Sequence, residues 1–106
     1  MLASKRLGKC YIFVVRFDWD KNKAARNLAN HKVSFEEAAT VFGNPLSDTF
    51  DDPDHSAEEQ RFLIIGHSEK GKLLFVSHTD DGETTRIISA RELTRGERES
   101  YEQGSN

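Results

Sequence analysis

The 106-residue chain has one cysteine, two prolines and no long apolar run, and each shortage closes a class of explanation. A lone Cys10 forms no internal disulfide, and no cysteine–histidine cluster has the spacing of a structural zinc site, so neither kind of staple is expected to hold the fold. Aliphatic and aromatic residues run unbroken for no more than the five from Tyr11 to Val15, short of a signal peptide's apolar stretch and of the roughly 20 residues that cross a bilayer. The basic start (Lys5, Arg6, Lys9) reads as no recognisable address, and a cytoplasmic protein with no membrane partner is expected. A net charge of −3 argues against a protein that coats nucleic acid non-specifically, because such proteins carry a strong basic excess. Any nucleic-acid site must be a local patch.

What is present describes one domain over residues 1–106, with 1–10 and 104–106 expected to fray. Tyr11 to Phe17 is β-branched and aromatic and reads as a strand. Asp20 is an N-cap for a first helix over Lys21 to His31, with Ala24, Leu28 and His31 sharing a face and Trp19 placed to staple onto Ala24. Ser34 and Glu37 have capping-box spacing, and Phe35, Ala38, Ala39 and Phe42 recur at the helical period, giving a second helix closed by Gly43 and Asn44-Pro45. An acidic, turn-rich segment follows, with a short strand near Asp48 to Asp51 and a Ser56–Glu59 cap. Arg61 to Ser68, Lys72 to Thr79 and Thr84 to Ala90 read as strands joined by turns at Lys70-Gly71 and Asp81-Gly82. Thr94 and Glu97 cap a last helix running to about Gln103. The expected class is α+β: one strand, two helices, a three- to four-strand antiparallel sheet and a short C-terminal helix.

Several separated motifs then stand in a familiar order: Phe17-Asp-Trp-Asp20, Asn27, His31, Val33-Ser-Phe-Glu-Glu-Ala38, Val41-Phe42, Asn44-Pro45, Asp52-Pro-Asp-His-Ser56, Ile65-Gly66 and Arg86-Ile-Ile-Ser-Ala-Arg91. From about Phe17 to Glu102 the chain resembles the BrnT family of toxins. The resemblance implies a RelE-like fold, ribonuclease activity that stops translation, and a ribbon-helix-helix antitoxin of the BrnA kind as partner, with RNA as substrate. The chain departs from the family pattern at Lys32, where glycine is usual, and at Asp81, where a basic residue is frequent.

Metal-independent RNA cleavage needs a group to take the 2′-hydroxyl proton, cations to stabilise the phosphorane, and an acid for the leaving oxygen. Arginine suits the second role, since its planar fork grips two phosphate oxygens and keeps its proton. A two-residue Asp81-Gly82 turn sets Ser77 opposite Arg86 and Thr79 opposite Thr84; a three-residue turn closed by Gly71 sets Arg61 opposite Thr79. Arg61, Ser77, Thr79 and Arg86 then share one end of one sheet face, with Leu63, Ile65, Phe75 and Ile88 also pointing there. Phe62, Ile64, Leu74, Val76 and Ile87 point to the other face, toward the helices. Arg91, Arg95 and Arg98 form a second basic group on one face leading into the last helix.

The catalytic candidates are therefore Arg61, Arg86, Arg91 and His67, with Ser77, Thr79 and Arg95 as RNA contacts and no cofactor. Each arginine also reads as a solvated or ion-paired surface residue. His67 falls on the arginine face at its far end, His78 on the other face and His31 at a helix end. A metal held by the acidic loop Asp51-Asp52-Pro53-Asp54-His55 is a minor alternative, which would make the chain a metal-dependent nuclease. A non-catalytic protein-binding module of the same fold is the other.

Overall fold

The computed structural model describes residues 5–7, 10–12, 16–52 and 60–104. In chain order the elements are β1 (Lys5–Leu7), β2 (Cys10–Ile12), β3 (Arg16–Asp18), α1 (Lys21–His31), α2 (Phe35–Val41), β4 (Asp48–Asp51), β5 (Phe62–His67), β6 (Leu73–Asp80), β7 (Thr84–Glu92) and α3 (Arg95–Gly104). The expected α+β order of strand, two helices, sheet and final helix is the order found. Two features differ from expectation. The single strand expected over Tyr11 to Phe17 is divided: β2 pairs with β1, and β3 joins the main sheet, while residues 13–15 lie outside the described set. The main sheet has five strands in the order β3-β7-β6-β5-β4 and is mixed, because β3 runs parallel to β7.

Alternation along the strands separates the two faces. Ile64, Leu74, Val76, Ile87 and Ala90 turn inward and pack with Val33, Phe35, Ala38 and Val41, burying the face beneath α1 and α2 as the strand pattern predicts. His78 lies in this layer, 4 % exposed, edge-on to Phe42 at 4.7 Å and stacked with Phe62 at 5.8 Å. Desolvation lowers its pKa from the ordinary histidine value.

The helix caps show what the sequence reading got right and what it missed. Asp20 accepts from the Asn22 and Lys23 amides, as an N-cap should, and Thr94 with Glu97 forms both arms of its capping box. At Ser34 only one arm forms, Glu37 N–H donating to Ser34 Oγ at 3.0 Å. The Glu37 carboxylate is instead buried and accepts from Ser68 Oγ at 2.7 Å, fastening α2 to the β5–β6 turn. On α1 the inward residue is Asn27, 6 % exposed, whereas Leu28 is 51 % exposed and His31 is exposed. The expected Leu28 and His31 face therefore points to solvent, because a polar side chain there makes better use of the site. Asn27 Nδ2 donates to Val33 O (2.9 Å) and Ala90 O (2.8 Å), and its Oδ1 accepts from Ala90 N–H (3.1 Å). β3 pairs with β7 only from Thr84 to Arg86, so further along β7 the Asn27 amide does for Ala90 what a neighbouring strand would. α1 ends at Lys32, which adopts the left-handed conformation (φ 60°, ψ 27°) that glycine accepts without a Cβ penalty.

Candidate active site

The face away from α1 and α2 carries the candidate residues, and strand register fixes how they meet. Gly71 (φ +82°) closes a three-residue turn between Ser68 and Lys72, so β5 and β6 pair in the expected register, with Phe62 opposite His78. Continuing that register by one residue sets Arg61 toward Thr79.

The β6–β7 turn departs from expectation. Asp81 Oδ1 accepts from the Glu83 and Thr84 amides at 2.9 and 2.8 Å, which places Asp81 at the corner of the turn and Gly82-Glu83 at its centre. Those two amides hold the Asp81 carboxyl below its ordinary pKa. Thr79 is therefore opposite Arg86, and Asp80 opposite Thr85; Ser77 does not face Arg86. The shift is even, so the face assignments survive.

A β-bulge next intervenes between Ser77 and His78, and Ser77 pairs with Ser89 and Phe75 with Arg91. The extra residue, Ile88, lets Arg86 and Arg91 share a face although an odd number of positions separates them. Arg91 is thus a strand residue of the open face. The anticipated helical grouping of Arg91, Arg95 and Arg98 does not exist, since α3 begins only at Arg95.

The result is a set of transverse rows. β4 continues its pairing one residue beyond Asp51, with Asp52 N–H donating to Arg61 O at 2.9 Å. Asp52, Arg61, Thr79, Arg86 and Asp18 therefore follow one another across all five strands, the last two joined by Arg86 Nη1 to Asp18 Oδ2 at 2.8 Å. Next comes a row with Leu63, Ser77 and Ser89, and then one with Asp48, Ile65, Phe75 and Arg91.

Between the rows lies a cleft of about 270 Å³ whose lining includes Asp52, Arg61, Leu63, Ser77, Ile88 and Arg91. Thr79 and Arg86 line an adjacent hollow with Asp18, Asp80 and Asp81. The anticipated cluster of Arg61, Ser77, Thr79 and Arg86 thus spans two neighbouring depressions. His67 lies on the same face but six residues from Arg61, about 20 Å along an extended strand, and outside both hollows. Arg95 is 89 % exposed and points to Glu99 at 3.4 Å, away from the cleft.

The two β7 arginines are held differently. Arg86 and Asp18 are each about half exposed (48 % and 49 %), and so open an ion pair contributes at most about 1 kcal/mol, so an incoming phosphate can compete for the guanidinium. Arg91 is fixed by a two-pronged bond to Glu97 (2.7 and 3.0 Å) and lies over the Phe75 ring at 4.9 Å. The Arg91 bond, reinforced by the Thr94 amide, holds the Glu97 carboxyl down to about 2.

The same contact moors α3 over Ile65 and Phe75. Its other mooring is Tyr101, whose hydroxyl donates to Asp48 Oδ2 at 2.6 Å and is thereby pushed up to about 12. α3 buries none of its own residues fully. Of the acidic loop, Asp51 is exposed and Asp52 buried; residues 53–55 lie outside the described set. Among the described residues no three His, Cys, Asp or Glu side chains are grouped to hold a metal, and no helix is long and apolar enough to cross a membrane.

A family model described as "Ribonuclease toxin, BrnT, of type II toxin-antitoxin system" matches residues 19–97. The chain belongs to the BrnT family. Membership places it among the ribonuclease toxins of type II toxin-antitoxin systems, a class that implies an antitoxin partner. The crystal structure of the Brucella abortus ribonuclease toxin BrnT is similar in fold, with a TM-score of 0.61 and 20 % identity over 77 % of this chain and 100 % of that one. No curated protein matches the chain. The matched stretch contains the rows of the open face except Asp18, and ends at Glu97, the residue that holds Arg91.

Sequence reasoning missed Asp52, Ser89 and the place of Arg91. Asp52 was within reach, because pairing the anticipated Asp48–Asp51 strand with the next one sets Asp52 against Arg61. Ser89 and Arg91 depend on the bulge, which no turn residue announces.

Proposed function

We propose that the open face cleaves RNA without a metal ion, stopping translation, and that a ribbon-helix-helix antitoxin neutralises the protein. The observation that carries this reading is the pairing of Thr79 with Arg86, with Arg61 set toward the other side of Thr79 when the Phe62–His78 register is continued by one residue. Their strands are two apart, about 10 Å, a gap that two long side chains close by converging on one phosphate. The Thr79 hydroxyl beneath them, and that of Ser77 one row along, can donate to phosphate or ribose oxygens.

The reaction this arrangement serves is internal transesterification. The 2′-oxygen attacks phosphorus, the bond to the 5′-oxygen breaks, and a 2′,3′-cyclic phosphate and a 5′-hydroxyl result. The proton lost from the 2′-hydroxyl balances the one gained by the leaving oxygen. Arg61 and Arg86 stabilise the charge that grows on the non-bridging oxygens, where fixed donors act most strongly. Arg91, already committed to Glu97, bounds the far end of the cleft and keeps Phe75 and α3 in place. It is a positioning residue.

The test is product analysis of RNA incubated with the purified protein, with and without a chelator. Cyclic phosphate ends, unaffected by chelator and abolished by a 2′-deoxy substitution at the scissile position, are expected. Loss of cutting on chelation would replace this reading with the metal-dependent one.

A further inference from the structure

We infer that the exposed side of α1 docks on an A-form stem of a folded RNA, an inference that rests on the chain being a toxin that acts on RNA. From residue 21 to residue 32 the formally charged residues are Lys21, Lys23, Arg26 and Lys32, without one acidic residue, in a chain whose net charge is −3. All four are exposed. A solvated helix surface ordinarily mixes the two signs in ion pairs, as α3 does with Arg95 and Glu99. Arg86, Arg91 and Arg95 each hold a carboxylate, whereas Lys21, Lys23 and Arg26 enter no ion pair among the described residues. Asp20 attracts Lys23 and Arg26 without such a pair, its Oδ1 accepting from the Asn22 and Lys23 amides.

The placement does not serve the helix itself. The first turn of a helix is the positive end of its dipole and favours acidic side chains, yet the first turn of α1 has no acidic residue and contains Lys21 and Lys23. A local rule broken at an exposed surface points to a role outside the fold.

The helical period arranges these cations in two rows. Asn27 is buried and bonded to Ala90 of β7, so the opposite crest of α1 is formed by Asn22, Ala25 and Ala29, all exposed. Lys21 lies on one flank, with Lys32 following at the end of the helix, and Lys23 and Arg26 lie on the other. A helix about 10–12 Å across thus sets cations on both sides of a crest of small residues. The wide, shallow minor groove of A-form RNA is bordered by phosphates and lined with 2′-hydroxyls, and proteins read it by shape and by contacts across it. The alanines let the crest approach that groove, and the Asn22 amide can bond to a 2′-hydroxyl. The minor groove of B-form DNA, about 6 Å wide, is too narrow for the helix. An acidic protein partner is less well matched, because protein interfaces centre on apolar anchors and the one large apolar residue exposed on α1, Leu28, is off the crest.

α1 packs on the sheet face away from the cleft, so a stem held on α1 leaves the open face clear for a single strand. The toxin would then recognise folded RNA with one side and cut with the other.

The experiment measures binding of the full chain to a fluorescent RNA duplex of about 16 base pairs, the length a double-stranded RNA module spans, checked to be intact afterwards. The comparisons are a DNA duplex of the same sequence, and the triple variant Lys21→Gln, Lys23→Gln, Arg26→Gln. Glutamine has nearly the helix propensity of lysine and arginine, so the variant should melt at or above the wild-type temperature. Wild type is expected to bind the RNA duplex at least severalfold tighter than the DNA duplex, and to lose roughly fortyfold between 50 and 200 mM salt, as three phosphate contacts require. The variant should bind the RNA duplex at least about tenfold more weakly, with most of that salt dependence gone, yet cut a short unstructured RNA at the wild-type rate.

Equal binding of the two duplexes by wild type, or unchanged RNA-duplex binding by the folded variant, overturns the inference even if the protein cuts RNA. Loss of antitoxin binding by the variant with its duplex binding intact also overturns it, and assigns α1 to the protein partner. Duplex binding through α1 in a protein that cuts no RNA would retain the docking surface and refute the proposed reaction.

Discussion

Replacing Asn27 with alanine removes three buried hydrogen bonds at once and leaves Val33 O, Ala90 O and Ala90 N–H without that partner. An orphaned buried backbone group costs about 1–3 kcal/mol. Taking the lower end for each, since carbonyls tolerate the loss better than amides, gives about 3 kcal/mol. A domain of this length has roughly 5–15 kcal/mol in total, so the variant should still fold, with a Tm lower by on the order of 15 °C. Asn27→Asp should be no better, because it keeps the acceptor for Ala90 N–H but turns lone pairs toward two carbonyls.

Urea melts followed by circular dichroism measure the loss, and an unchanged m-value confirms that the native state is what changed. Because Ala90 precedes Arg91 just past the bulge, cleavage by the folded variant should also fall. A loss below 1 kcal/mol would refute the view that this amide stands in for a missing strand.

Three further expectations concern single side chains. Lys32→Gly should stabilise by about 1 kcal/mol in a thermal melt, since it relieves a left-handed residue at an exposed position whose Nζ bond to Ala29 O is weak and solvated. Gly66→Ala should destabilise by about 2–3 kcal/mol, as overpacking does, because its Cβ would lie 2.6 Å from Ser47 Cβ and 3.1 Å from Val41 Cγ1. His78 has a folded-state pKa below its unfolded value, so between the two values the unfolded chain binds more protons. Stability is therefore complete above about pH 6.5 and declines as pH falls toward the folded value. Denaturant melts from pH 7.5 to 5 should show that decline, and His78→Leu should remove this part of it.

The sheet was legible where glycine fixed a turn. Gly71 set the β5–β6 register, and with it the neighbourhood of Arg61 and Thr79. The same logic failed by two residues at Gly82, because the Asp81 side chain caps the turn and moves its centre onward. Evenness saved the face assignments, so Arg61, Ser77, Thr79 and Arg86 fell on one face as expected.

What stayed hidden depended on tertiary partners. The bulge at Ile88 arises from how β7 meets its neighbours and carries no local mark, so the position of Arg91 beside Phe75 was out of reach. Asn27 and Glu37 look like ordinary helix-surface polar residues, and only the backbone of β7 and the hydroxyl of Ser68 reveal why they are buried. Both cases are polar side chains overriding a hydrophobic period, which pattern reading assigns to solvent by construction.

In the proposed reaction Arg61 and Arg86 carry the charge that develops on the phosphate. Single-turnover cleavage of a defined RNA by wild type, Arg61→Ala, Arg86→Ala and the outlying Arg95→Ala, each checked for folding, tests it most directly. A loss of about a hundredfold or more is expected for each of the first two, as for removal of one transition-state donor, and a change within about threefold for Arg95→Ala. Wild-type rates in Arg61→Ala and Arg86→Ala would contradict it and move the active site off this row.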